Sequence, residues 1–306
     1  MAEETASNYC SVHSLQAGEP LFATAVKTVV YLLLEYAGPW GSKAFEESSL
    51  PEDVKQTLNT HARKIPQARL LLIRQPRQAM QTGLRFFIAV AEQSRSDLYA
   101  FQLDDYQDLL DLDIPAIASG APQYAGQRQD DSLILVCTNG RRDLCCSRFG
   151  VPVYKALAAA SRDQQVWESS HMGGHRFAPN VLCLPQGLLY GRVTPQDGLA
   201  ILDAQRAGQV HLPNLRGRTC YPEPVQAAEH YLRQHTGRLA LEAFQLRTAA
   251  EIQPGNWLVQ FSTPGQERIH KLHLTLQVAN TQVHESCQFD KKAPIKHYRL
   301  DSYIVE

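Results

Sequence analysis

Cys137 and Cys146 stand nine residues apart, and His171 and His175 stand four apart. This segment gathers soft sulfur and borderline nitrogen donors at spacings a metal can use. Two thiolates and two imidazoles suit a tetrahedral zinc ion or a [2Fe–2S] cluster with mixed ligation. Such ligands need irregular backbone with small residues, so that the chain can wrap closely. Thr138-Asn139-Gly140 permits a tight turn after Cys137, and Gly173-Gly174 does the same between the histidines. Amides in such loops can donate to sulfur and raise a reduction potential. Arg141, Arg142 and Arg148 either offset the charge of a thiolate-bound group or form a solvated basic loop. Asp143 reads as a turn cap or an arginine partner, not as a catalytic acid. Cys145 adjoins Cys146, so only one of them readily faces a metal. The other is then a small inert thiol, with a strained vicinal disulfide as the third reading.

The elements around this segment follow from periodicity and turn residues. Residues 1 to about 20 read as a loose leader. Apolar runs at 28–36, 68–73, 84–91 and 98–103 read as strands, and Pro51 with Glu52 and Asp53 opens a helix. A polar stretch at 123–131 marks a boundary. Beyond it the pattern predicts a strand over 132–136, a helix over 150–160, a strand over 166–168, strands over 180–184 and 188–193 around Pro185-Gln186-Gly187, and a helix over 195–207. This β-α-β-loop-β-β-α order is that of a thioredoxin-like fold. A second polar stretch, 208–221, precedes a helix over 222–235 and strands over 257–262, 269–278 and 298–305. The expected organisation is α/β: an N-terminal α/β domain at 1–125, a thioredoxin-like domain at 126–215 and a C-terminal α+β domain at 216–306.

Three segments resemble a known family. They are 135–143, with Cys137-Thr138-Asn139-Gly140-Arg141-Arg142-Asp143; 168–178, with His171-Met172-Gly173-Gly174-His175-Arg176-Phe177; and 188–193, with Tyr190-Gly191-Arg192-Val193. Together they look like the sucrase/ferredoxin-like family. Gly38-Pro39-Trp40-Gly41 and Arg216-Gly217-Arg218 extend the likeness toward both ends. The resemblance implies a thioredoxin-like [2Fe–2S] ferredoxin domain whose second ligand pair is histidine instead of cysteine. Carried onto this chain, the ligands are Cys137, Cys146, His171 and His175. The family cysteine follows Arg-Asp-x-x, which selects Cys146 over Cys145. The implied activity is one-electron transfer, with proton coupling through the outer ring nitrogens of the histidines. The rival reading is a structural zinc protein with the same Cys2His2 set, acting as a binding or scaffold module.

Bulk properties narrow the remaining classes. A net charge of -1, from 30 basic and 31 acidic residues, gives no electrostatic case for nucleic acid or an anionic membrane. At 44% hydrophobic the 306 residues can build real cores. No apolar run approaches a membrane span, and no secretory or Arg-rich leader is evident. Seven scattered cysteines, an odd number, argue against a disulfide framework and for a reducing, cytoplasmic setting. Neither the P-loop nor the dinucleotide glycine pattern occurs, so electrons are expected from a partner reductase and pass to a separate acceptor. A thiol oxidoreductase lacks its Cys-x-x-Cys at a helix start. A glycosidase needs two flanking carboxylates, and the spacing of Asp143, Glu168 and Asp197 picks out no pair. Trp167, Phe177 and Tyr190 read as packing around the ligand loops. Cys183 and Cys220 read as buried, His270 and His273 as a core and a surface residue, and Cys10 and Cys287 as exposed residues without a role.

Overall fold

The apolar run that begins at Val30 forms the strand on which one half of the molecule is built. A computed structural model describes residues 9–76, 83–161 and 165–306. Residues 1–8 of the expected leader lie outside the described residues. The part of the leader that follows is not loose: α1 (Cys10–Gln16) is a seven-residue helix. It is held by polar contacts that hydrophobic periodicity does not show, among them Ser14 Oγ donating to Glu19 Oε2 at 2.6 Å.

Contacts divide the chain into two units, one made of described residues from Thr28 to Gly173 with 181–187, the other of those up to Lys27 with 174–180 and 188–306. In the first, the sheet unit, β1 (Val30–Glu35) is buried along its whole length, as a strand covered on both faces must be. It pairs in parallel with β2 (Ala68–Arg74) and antiparallel with β3 (Leu84–Ala91). The sheet continues on one side through β4 (Ser96–Leu103) to β5 (Arg128–Gln129). On the other side β2 meets β7 (Val166–Ser169) antiparallel, β7 meets β6 (Leu133–Cys137) in parallel, and β6 meets β8 (Val181–Leu184) antiparallel. Helices α2 (Glu52–Lys64) and α3 (Ile114–Ser119) cover β1 to β4. Val54, Leu58 and Ile117 from these helices join Leu32, Leu34, Phe86 and Ile88 in one core. Helix α4 (Leu144–Ala160) connects β6 to β7. The fold is therefore α/β, with a mixed sheet. The expected boundary near residue 125 is crossed by the β2–β7 ladder, where Ile73 pairs with Ser169.

The second, terminal unit contains the antiparallel pair β9 (Leu188–Tyr190) and β10 (Leu215–Arg218), with α5 (Pro195–Arg206) between them in the chain. Helix α6 (Glu223–Thr236) packs on an antiparallel sheet of β11 (Gln245–Gln253), β12 (Asn256–Ser262), β13 (Ile269–His284) and β14 (Lys292–Val305), in that order. Val225 and Leu232 of α6 meet Phe261, Leu272 and Tyr298 of the sheet. β10 falls inside the polar stretch read as a boundary. Its arginines are buried because they have partners: Arg216 donates to Asn180 Oδ1 at 2.8 Å and to Thr24 Oγ1 at 3.0 Å. Among the described residues no helix is long and apolar enough to cross a membrane.

Candidate metal centre

The strand β6 ends at Cys137, which is 1% exposed. The chain then turns through residues 138–143 before α4 begins. Asn139 holds this turn: its carbonyl accepts from the amides of Arg142 at 3.2 Å and Asp143 at 3.3 Å. Its side chain donates to the Gly41 carbonyl at 3.1 Å. Asp143 is the N-cap of α4, accepting from the Cys145 amide at 3.0 Å. Helix α4 thus starts six residues earlier than the apolar pattern alone suggests, and its first turn carries Cys145 and Cys146. Removing this cap in Asp143→Ala should lower stability by about 1 kcal/mol, and more if the buried first turn frays. Urea unfolding measures it, with Asp143→Asn, whose side-chain oxygen caps equally well, expected to retain most of the stability.

Gly150 lets the helix approach the strand end. A Cβ there would run into the Cys137 carbonyl oxygen. Alanine favours a helix over glycine by about 1 kcal/mol. Gly150→Ala should nevertheless destabilise the protein by about 1–3 kcal/mol, because the clash is with backbone and must displace Cys137. A higher melting temperature in this variant would show that the packing is looser than described.

The third donor comes from the chain beyond β7. Ser170 anchors that chain to β2: its amide donates to the Leu72 carbonyl at 2.8 Å, and its hydroxyl accepts from the Leu72 amide at 3.0 Å. His171 follows, half-buried, its carbonyl accepting from Arg69 Nη2 at 3.1 Å. The donor atoms of Cys137, Cys146 and His171 all lie within 4.8 Å of one another. Cys146 Sγ is 4.0 Å from His171 Nδ1.

The two sulfurs share a proton unequally. A hydrogen bond from Cys146 holds the Cys137 thiol well below the usual cysteine range, against the opposing effect of burial. His171 and a backbone bond from Met172 add to the lowering. The same sulfur–sulfur bond, then burial, raise Cys146. Cys137 is therefore the more acidic sulfur of the pair and Cys146 the less acidic one. A metal ion would take the place of that proton, since only deprotonated thiols ligate. Arg69, its pKa lowered by burial and partly restored by Tyr31 and Cys137, sets a cation close to Cys137.

His175 lies in the terminal unit, first in the 3-10 turn His175–Phe177. The chain reaches it through Gly173 at φ 101° and Gly174 at φ 69°, left-handed conformations that favour glycine. The structure thus brings together three of the four expected ligands within one unit and places the fourth beyond this double-glycine turn. Cys145 is buried next to Cys146. Arg141 and Arg148 are exposed, as the solvated reading has it. Trp167 is fully buried under the Arg85 guanidinium, which lies 4.2 Å from its ring. In the terminal unit Phe177 is likewise enclosed, by Arg176 and Arg216, each at 4.7 Å.

The carboxylates near the motif have structural partners. Glu168 binds Arg74 at 3.1 Å and accepts from Thr138 at 2.6 Å. Asp143 caps α4, and Asp197 closes a capping box with Thr194 at the start of α5. Cys183 is buried and pushed up to about 12, and Cys220, half-buried, is pushed up to about 11, both by burial first. His270 is a core residue, bonded to Thr263 at 3.0 Å and Tyr303 at 2.8 Å. Sequence reasoning missed Arg69. Its one local signal is a cation at the edge of the apolar run Leu70 to Ile73.

Among curated proteins the chain is similar to Altered inheritance of mitochondria protein 32 of several yeasts. It is 29% identical to that of Meyerozyma guilliermondii over 96 residues, 28% of this chain and 34% of the relative. It is 36% identical to that of Debaryomyces hansenii over 81 residues, 23% of this chain and 29% of the relative. The matched part thus spans about a third of those relatives' length. No solved structure matches. The sucrase/ferredoxin-like family model matches residues 21–217, which include β6, the cysteine turn and the His171 loop, and the chain belongs to that family.

Proposed function

We propose that this chain holds a [2Fe–2S] cluster through Cys137, Cys146, His171 and His175 and works as a one-electron carrier. The observation that carries the reading is the buried pair of thiols with an imidazole, all donor atoms within 4.8 Å, on irregular backbone at a strand end and a helix start. The donor set fits: soft thiolates suit iron–sulfur chemistry, and imidazole replaces thiolate in clusters of raised potential. When bound, such a cluster takes up and releases one electron at a time, above the potential of all-cysteine clusters.

The chain's own residues account for the rest. The Met172 amide donates to the Cys137 sulfur, and Arg69 sets a positive charge nearby, both favouring the reduced state. Asp143 and Asn139 fix the turn that carries Cys146. Proton coupling in this reading runs through the outer ring nitrogens of the ligand histidines. In this reading the segment 126–215 is the thioredoxin-like ferredoxin domain. A separate reductase supplies the electrons and a separate acceptor takes them. We place the protein in a reducing, cytoplasmic setting; the relatives' name makes a mitochondrial one the alternative, and cell fractionation separates the two.

Anaerobic purification tests the proposal. A red-brown protein with iron and acid-labile sulfide in equal amounts supports it. A colourless protein with one zinc per chain would refute it in favour of a structural Cys2His2 site.

A further inference from the structure

The two cysteines that the sequence leaves without a role meet in the terminal unit. Cys10 is buried, not exposed as its position in a leader suggests, and is the first residue of α1. Its amide donates to Cys287 Sγ at 3.3 Å, across 277 residues of chain. The two sulfurs lie within 4.8 Å of each other. Each brings a histidine. His13 is one helical turn beyond Cys10, on the same face of α1. His284 ends β13, three residues before Cys287. The two imidazoles pack edge to face with centroids 5.4 Å apart. All four residues line one cavity of about 330 Å3. Asp290 lines it too, with its carboxylate 3.6 Å from His284 Nδ1.

We propose that Cys10, His13, His284 and Cys287 form a second metal site, which takes a single zinc ion and clamps α1 to the turn between β13 and β14. Two thiols and two imidazoles are the donor set of a closed structural zinc site. Sulfurs on one tetrahedral zinc stand about 3.8 Å apart, given Zn–S bonds of about 2.3 Å; the pair lies within 4.8 Å, and the two imidazoles lining the same cavity must turn toward it for the ion to bind. Each donor pair is separated by two residues, one pair on a helical turn and one at a strand end, so each segment presents both its donors from one place. The Asp290 carboxylate beside Nδ1 is where the orienting partner of a metal-bound histidine belongs, leaving Nε2 to ligate. The site shares no residue with the proposed cluster ligands. Helix α1 also packs on the 3-10 turn that carries His175, so the clamp would steady that turn from within the same unit.

The test is cobalt and zinc titration of the full-length protein under reducing, anaerobic conditions, after treatment with a mild chelator. It is run on the protein as isolated and on Cys137→Ala, so that failure of the cluster reading does not affect the outcome. One cobalt per chain should bind in both, with thiolate charge-transfer absorption, and one zinc should displace it. Cys287→Ser and His13→Gln, both at half-buried positions, should each weaken binding at least tenfold while circular dichroism stays unchanged. The proposal is overturned if neither protein binds cobalt, if both substitutions leave binding as it was, or if mass spectrometry finds Cys10 and Cys287 in a disulfide under these conditions.

Discussion

Cys137→Ala is expected to yield a folded protein without iron or labile sulfide. Three features of the residue converge on this result. It ends a fully buried strand, it is the more acidic sulfur of the pair, and it accepts from the Met172 amide. No neighbouring donor can replace it without moving β6. Cys145 is the necessary control. Successive residues of a helix are rotated by about 100°, so Cys145 and Cys146 cannot face the same point. Cys145→Ala should keep its full complement of iron, and Cys146→Ala should lose it. Iron and sulfide assays on the three variants, purified side by side, check the assignment. A fully assembled cluster in Cys137→Ala would sink it.

The second large effect is on potential. Replacing a neutral imidazole by a thiolate adds negative charge and favours the oxidised state. His171→Cys should retain a cluster with a midpoint potential lower by about 100 mV or more, given the span between histidine-ligated and all-cysteine centres. The pH dependence follows from the same ligands. Reduction makes the centre more negative and raises the proton affinity of the outer ring nitrogens. Where the oxidised form has lost a proton that the reduced form holds, reduction takes up one proton per electron. The potential then falls with rising pH by about 59 mV per unit, since a tenfold change in a one-electron equilibrium is about 59 mV. At lower pH, with both forms protonated, it levels off. Protein-film voltammetry from neutral to alkaline pH measures this. A flat potential over that range would contradict proton coupling, and an unshifted one in His171→Cys would contradict histidine ligation.

The candidate donors stood out in the sequence because soft donors are rare and their spacing is short; Cys137, Cys146 and His171 do come together. Cys137 after an apolar strand, and histidines around two glycines, suggest the proposed ligand types and the backbone they need. Asp143 reads from sequence as a turn cap or an arginine partner, and the structure makes it the N-cap of α4; the apolar pattern places the helix start later because the first turn is Leu-Cys-Cys-Ser. What stayed hidden is long-range. Arg69 reaches His171 from a strand 102 residues earlier. Cys10 and Cys287 are brought together by the packing of α1 near the end of β13, which no local pattern reports. β11 was missed because it is exposed along nearly its whole length and pairs on one edge only, so its residues carry no alternation to read. Arg216 and Arg218 were taken for a polar linker because burial of a cation depends on partners elsewhere in the chain.

The most direct test of the central claim is low-temperature EPR of the anaerobically purified protein, oxidised and dithionite-reduced, with metal analysis of the same sample. The account predicts silence when oxidised and, on reduction, a rhombic signal of low average g with two irons per chain, the pattern of a histidine-ligated [2Fe–2S] centre. A protein silent in both states that carries zinc in place of iron at Cys137 and Cys146 would contradict it.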